Sequence, residues 1–296
     1  MMNRDSTLAR NIFPLAAAFL ALVASETLAD AAGNEATIYY VNDHSSAAAC
    51  GGDSFSWGDD TAWYLSDKLN AWSWDRVYLH GNLWVDFKDF ADRSIDRAGA
   101  DGDDPDGIDS ADLGFIYTHG TSGGCSAGNA YSRLNMGDDA FTCNVKYGKK
   151  SSRNDVEWGN TDLNIMILDA CRTLQKCVFD NGGYFVAEKD LAALLGFHGI
   201  SYDSASHTNH FENFVDDSRW NGLGDNWVDD MTYQWIGWDN DECGTAVVFG
   251  SDSSDGDRIF QWGGLQDWKV ISSHLRSWFY YISGCNPGSG DKLPSG

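Results

Sequence analysis

Two short stretches carry residue types that could act together on a bond. Residues 113–118 form an apolar run that ends in His119-Gly120, and residues 163–168 form a second that ends in Asp169-Ala170-Cys171. Both runs are short, uncharged and β-compatible, as strands buried on both faces are. Each delivers one reactive side chain at its C-terminal end, the edge at which open α/β sheets bind ligands. If the two strands are parallel neighbours, an imidazole and a thiol open onto one crevice, the pairing a thiol nucleophile requires.

The cysteine count bears on the same thiol. Seven cysteines in an oxidising compartment allow three disulfides and leave one sulfur over. Cys171 is the one at a strand end. Cys125 and Cys143 flank a Gly/Ser-rich loop after His119 and could clip it, while Cys50, Cys177, Cys243 and Cys285 could pair in three ways, between which the sequence does not choose. The competing assignment for Cys171 is a disulfide with Cys177.

Metal chemistry has weaker support. Residues 101–112 hold six aspartates in twelve positions, and hard cations take carboxylate oxygens. Asp103, Asp104, Asp106 and Asp109 are therefore the candidate Ca²⁺ ligands. With Gly107 at the sharp turn, the first ligand position falls on Gly102 and the last on Leu113, so the loop fails the EF-hand pattern. A solvated acidic loop is the preferred reading, and no other cofactor is implied. His198, His207 and His210 could join Asp203 around a metal, but His207-x-x-His210 is loose for zinc and no His-Glu-x-x-His occurs. His198-Gly199 also follows an apolar run; coming after Cys171, it reads as a sheet-edge residue.

The elements that would position these groups follow from periodicity. Strands are expected at 36–41 and 76–80, at the two runs above, near 190–195 and at 245–250. Helical spacing covers 61–72, with Asp59 or Asp60 as cap, then 208–214, 225–235 and 267–281, where Trp268, Ile271, Leu275, Trp278 and Phe279 share one side. Strands alternating with helices imply a mainly parallel sheet with helices on both faces. Residues 1–29 have the form of a secretory signal peptide, Arg4 and Arg10 preceding an apolar stretch and small residues. The expected organisation is a signal over 1–29, one α/β domain over 30–283 and a flexible tail over 284–296. The product is then secreted or periplasmic, with no membrane span after signal removal. A net charge of −24 opposes binding to nucleic acid. The sequence assigns no oligomeric state.

The two motifs also carry a resemblance. An apolar strand ending in His119-Gly120, followed by one ending in Asp169-Ala170-Cys171, resembles the caspase-like cysteine peptidases: caspases, metacaspases, legumains, clostripain and gingipains. The histidine and cysteine lie 52 residues apart (171 − 119), close to the interval of the caspase branch. The resemblance implies a three-layer sandwich around a mostly parallel six-stranded sheet. It implies Cys171 as nucleophile, His119 as general acid/base, and the N–H groups of Gly120 and Cys171 as oxyanion donors. It implies Asp169 as the substrate-binding acid favouring Arg or Lys before the scissile bond of a peptide or protein substrate. One departure is that Cys171-Arg172-Thr173-Leu174 lacks the glycine many relatives carry after the cysteine. The alternative from a different class is a non-catalytic, disulfide-stapled secreted binding protein, with Ca²⁺ in its acidic loop.

Overall fold

The computed structural model describes residues 34–44, 52–137, 142–150, 154–234, 240–268, 274–288 and 291–295. The signal segment and Cys50 lie outside the described residues. In chain order the strands are β1 (Glu35–Tyr40), β2 (Arg76–Gly81), β3 (Leu113–Tyr117), β4 (Gly120–Ser126), β5 (Asn129–Asn135), β6 (Asn144–Lys150), β7 (Ile165–Asp169), β8 (Ala193–Phe197), β9 (Gly244–Gly250) and β10 (Arg276–Tyr281). The helices are α1 (Gly58–Ala71), α2 (Lys176–Asp180), α3 (Ala205–Asp217), α4 (Leu223–Asp230) and α5 (Ser253–Trp262).

The fold is α/β, built on a seven-stranded sheet in the order β10-β9-β8-β7-β3-β1-β2, with a separate three-stranded sheet β4-β5-β6. Strands β2, β1, β3, β7 and β8 pair in parallel, and β9 and β10 are antiparallel. The expected six-stranded, mostly parallel sheet is therefore corrected to a mixed sheet of seven. The extra strand is β10, read in the sequence as part of a helix. Its run Arg-Ser-Trp-Phe-Tyr-Tyr pairs with β9, Trp278 opposite Val248 and Tyr280 opposite Ala246. Aromatic residues suit a pleated, half-buried surface, and so short an apolar run has no decisive period of its own.

Helices on both faces were also expected, and that expectation needs correcting. Side chains alternate along each strand, dividing the core in two. Ile38, Phe115, Ile165, Ile167, Leu195 and Val248 face one way, against Leu65 of α1, Phe211 of α3, Trp227 of α4 and Ile259 of α5. Ile116, Met166, Leu168 and Val247 face the other way, against Leu134, Val145, Tyr147, Trp158 and Val178. That second layer is made by the small sheet, loops and the short α2. The small sheet comes from stretches that read as loop, because β4 is Gly-Thr-Ser-Gly-Gly-Cys-Ser and has no apolar alternation.

The acid expected to cap α1 is also different. The N-cap position, Trp57, makes no side-chain cap. Asp203, distant in sequence, accepts from the N–H groups of Ser56 (2.7 Å) and Trp57 (2.9 Å). The stretch expected to be a flexible tail is tied down where it is described. Leu293 is buried and its N–H bonds Cys285 O, and His198 Nε2 donates to Asp291 O.

Candidate active site

The two reactive motifs leave the sheet side by side. β3 and β7 are parallel neighbours with Tyr117 opposite Asp169, and Thr118 N–H continues the ladder to Asp169 O at 3.2 Å. The next residues meet directly. A methyl group on Gly120 would lie 2.2 Å from Cys171 O and 3.0 Å from Ala170 Cβ, so only glycine lets these backbones touch.

His119 is held from the other side. Its Nε2 lies 2.7 Å from Asp53 O. A carbonyl oxygen can only accept, so Nε2 carries the proton and a neutral ring keeps Nδ1 as its basic nitrogen. The ring packs against Phe55 (centroids 4.2 Å) and the buried His44 (4.4 Å). Burial, with the neighbouring His119, pushes the His44 pKa down to about 4, so His44 is a neutral wall.

Cys171 is the free cysteine among the described residues. Cys125 bonds Cys177 and Cys243 bonds Cys285. Cys143 is disulfide-bonded as well. The candidate Cys125–Cys143 clip is therefore not the pairing found, and the competing Cys171–Cys177 bridge does not form. The half-buried sulfur accepts from Ser201 N–H at 3.4 Å and donates to Ser201 O at 3.5 Å. Burial pushes the thiol pKa up; the Ser201 N–H acts against this, and the Glu242 and Asp169 carboxylates add to it. Among the described residues no hydrogen bond joins the imidazole to this sulfur.

The backbone around the sulfur has donors to spare. Asn135 N–H bonds His119 O, which makes Gly120 and Leu134 a pair that exchanges no hydrogen bonds in the antiparallel ladder. Gly120 N–H is thereby left outside that ladder, and no partner is found for Cys171 N–H among the described residues. The chain then turns at Arg172 with φ 55°, a left-handed conformation that costs a non-glycine residue roughly 1–2 kcal/mol. Arg172 N–H bonds Gly199 O at 2.6 Å, holding the turn.

Asp169 follows from strand alternation. It continues the face of Ile165 and Ile167 toward α3, and its side chain is fully buried. One oxygen accepts from Ser201 Oγ (2.9 Å) and the other from His207 Nε2 (2.9 Å), while His207 Nδ1 lies 2.7 Å from Glu242 Oε1. Sequence reasoning did not connect His207, Glu242 and Ser201 to the site. One signal was present, since His207, Phe211 and Phe214 share a helical face and that face is buried.

The calcium candidates go elsewhere. Asp109 is buried and accepts four backbone N–H groups, from Gly159, Asn160, Thr161 and Leu163 at 2.9–3.2 Å. Asp103 pairs with Arg93 at 3.0 Å, and Asp104 and Asp106 line a cavity with Asp86, Asp89 and Lys88. Among the described residues no three His, Cys, Asp or Glu side chains are grouped to hold a metal ion. His198 is structural, its Nδ1 accepting from Lys176 N–H.

Fold and site together define an α/β protein with a free thiol and a tethered imidazole at one edge of its main sheet. The chain belongs to the family described as Domain of unknown function (DUF6345), whose model matches residues 34–258. No curated protein and no solved structure matches it. No helix among the described residues is long and apolar enough to cross a membrane, and the disulfides fit a chain folded in an oxidising compartment.

Proposed function

We propose that this protein is a secreted or periplasmic cysteine endopeptidase of caspase-like type, cleaving peptides after Arg or Lys. The observation that carries the reading is the direct packing of Gly120 on Cys171, which sets the His119 motif against the only free sulfur among the described residues. The parallel run β2-β1-β3-β7-β8, with the histidine after the third strand and the cysteine after its neighbour, supports the superfamily resemblance.

The chemistry follows from the groups present. The thiol is protonated at neutral pH because burial raises its pKa, so its proton must leave as it attacks. His119 Nδ1 takes that proton while sulfur bonds to the substrate carbonyl carbon. The negative charge developing on the carbonyl oxygen is met by Gly120 N–H and Cys171 N–H. The imidazolium gives its proton to the leaving amine as the C–N bond breaks, and a thioester remains. Water deprotonated by the same nitrogen then hydrolyses it. Asp169, Glu242 and Asp203 outnumber the cations there, His207 and Arg172, which favours a basic side chain next to the scissile bond. Asp169 acts as a buried charge, since both its oxygens are already bonded.

A peptidyl chloromethyl ketone ending in Arg tests the reading. Expected are modification at Cys171, a fall of about a hundredfold or more in His119→Ala, and cleavage of Arg- or Lys-terminated fluorogenic peptides. An unmodified Cys171 together with uncut peptides overturns it. The second reading, a non-catalytic binding protein, is favoured by the sulfur being bonded to Ser201 and not to the imidazole. That same negative result would select it.

A further inference from the structure

Beneath the proposed dyad runs a buried chain of polar groups that the reaction does not use. His207 lies on α3, Asp169 ends β7 and Glu242 precedes β9; the first two side chains are fully buried and Glu242 nearly so. The imidazole stands between the two carboxylates, 2.9 Å from Asp169 Oδ2 and 2.7 Å from Glu242 Oε1. A carboxylate can only accept, so both ring nitrogens donate and the ring is an imidazolium. Burial opposes that charge, but the two carboxylates outweigh it and hold the His207 pKa well above the ordinary value.

Each carboxylate passes the contact on to the segment facing the thiol. Asp169 Oδ1 accepts from Ser201 Oγ at 2.9 Å, and Glu242 Oε1 accepts from Tyr202 N–H at 3.0 Å. Ser201 N–H is the backbone donor to Cys171 Sγ, at 3.4 Å. We propose that His207 is a positioning residue for Cys171, clamping Asp169 and Glu242 so that consecutive residues Ser201 and Tyr202 are seated against the sulfur. This rests on Cys171 being the nucleophile of the proposed function.

Removing the cation would leave two buried carboxylates facing each other, an arrangement buried charges do not tolerate without a partner. The segment would relax and the field at the sulfur would turn more negative. The other groups packed on the ring are Tyr117 from β3 (centroids 6.1 Å), whose hydroxyl donates to Asp203, and Phe197 from β8 (5.8 Å). Ser204 Oγ accepts the His207 N–H at the start of α3. The titratable neighbours are thus Asp169, Glu242 and Tyr117, with Arg172 and Asp203 flanking them.

The test is the rate of Cys171 alkylation by iodoacetamide across pH, in the full chain and in His207→Gln and Ser201→Ala. Gln cannot serve both carboxylates as a charged donor. His207→Gln should move the midpoint of the pH–rate profile up by about one unit and slow reaction at neutral pH about tenfold. Ser201→Ala cuts one arm while leaving the His207 cation and both carboxylates in place, and should slow reaction severalfold in a protein that still folds. If His207→Gln does not fold, Ser201→Ala decides alone. Profiles that coincide with the parent in a folded variant overturn the proposal. Alkylation needs no substrate, so failure of the parent to cut peptides would sink the peptidase reading and leave this comparison intact.

Discussion

At position 120 one missing methyl group decides whether the two reactive motifs can touch. The obstacles to a Cβ there are the Cys171 carbonyl and the Ala170 Cβ, and neither is the movable end of a side chain. Gly120→Ala should therefore push β3 and β7 apart at their ends, lower stability by roughly 1–3 kcal/mol in urea unfolding, and sharply reduce labelling of Cys171. The thiol has its own signature. Burial raises its pKa, with Glu242 and Asp169 adding to the effect of burial, so its alkylation rate should keep climbing above the pH at which an ordinary thiol levels off. A plateau at or below the ordinary thiol value would contradict this. These residues were legible in sequence because each ends an apolar run. His207 and Glu242 were not, since nothing local links residues that lie 38 and 35 positions from their partners.

At the scale of elements, two devices hold the motif-bearing strands in register. The Cys125–Cys177 disulfide spans 52 residues, the same interval as His119 to Cys171, and so joins points six residues beyond each. It ties the β4–β5 hairpin to α2. Replacing both cysteines by serine should cost roughly 3–4 kcal/mol, read as a lower melting temperature, and should slow Cys171 labelling. At the opposite end, Asp109 collects four backbone N–H groups from residues 159–163, fastening the start of β7 beside that of β3. Asp109→Ala leaves these donors buried and unpaired and should cost about 3 kcal/mol or more; a loss under 1 kcal/mol in a urea titration would refute the role. The reading of these elements was uneven. β3, β7, β8, β9, α1 and α3 came through because their apolar pattern is strong. β10 went astray because its aromatics fit two periods, and β4 because glycine and serine carry none.

The whole molecule is acidic, with a net charge of −24, and several carboxylates titrate late. Burial is the leading cause in each: Asp89 is pushed up to about 7, with Asp86 adding to it, Asp101 to about 8, with Asp109 and Asp92, and Glu188 to about 7. A carboxyl whose pKa is higher folded than unfolded keeps its proton longer in the native state, so stability falls as pH rises through the folded value. The window runs from about pH 4, where the unfolded groups ionise, to about 8. His207 acts in the same direction, its contribution declining from about pH 6.5, where the unfolded imidazole gives up its proton, until its raised folded value is passed. The melting temperature should therefore be higher at pH 5 than at pH 8 at equal ionic strength. Calorimetry showing the reverse order would refute it.

Sequence alone determined the α/β class, two strands with reactive ends, and an odd sulfur, because apolar period and cysteine parity are local or countable properties. Tertiary structure alone decided which sulfur stays free, which carbonyl holds His119, what covers the second face of the sheet, and that Asp169 is paired with His207. Each of those depends on residues brought together from distant parts of the chain: the carboxylates that hold the charge on His207 and the burial that keeps the proton on Cys171 exist only once the layers have closed.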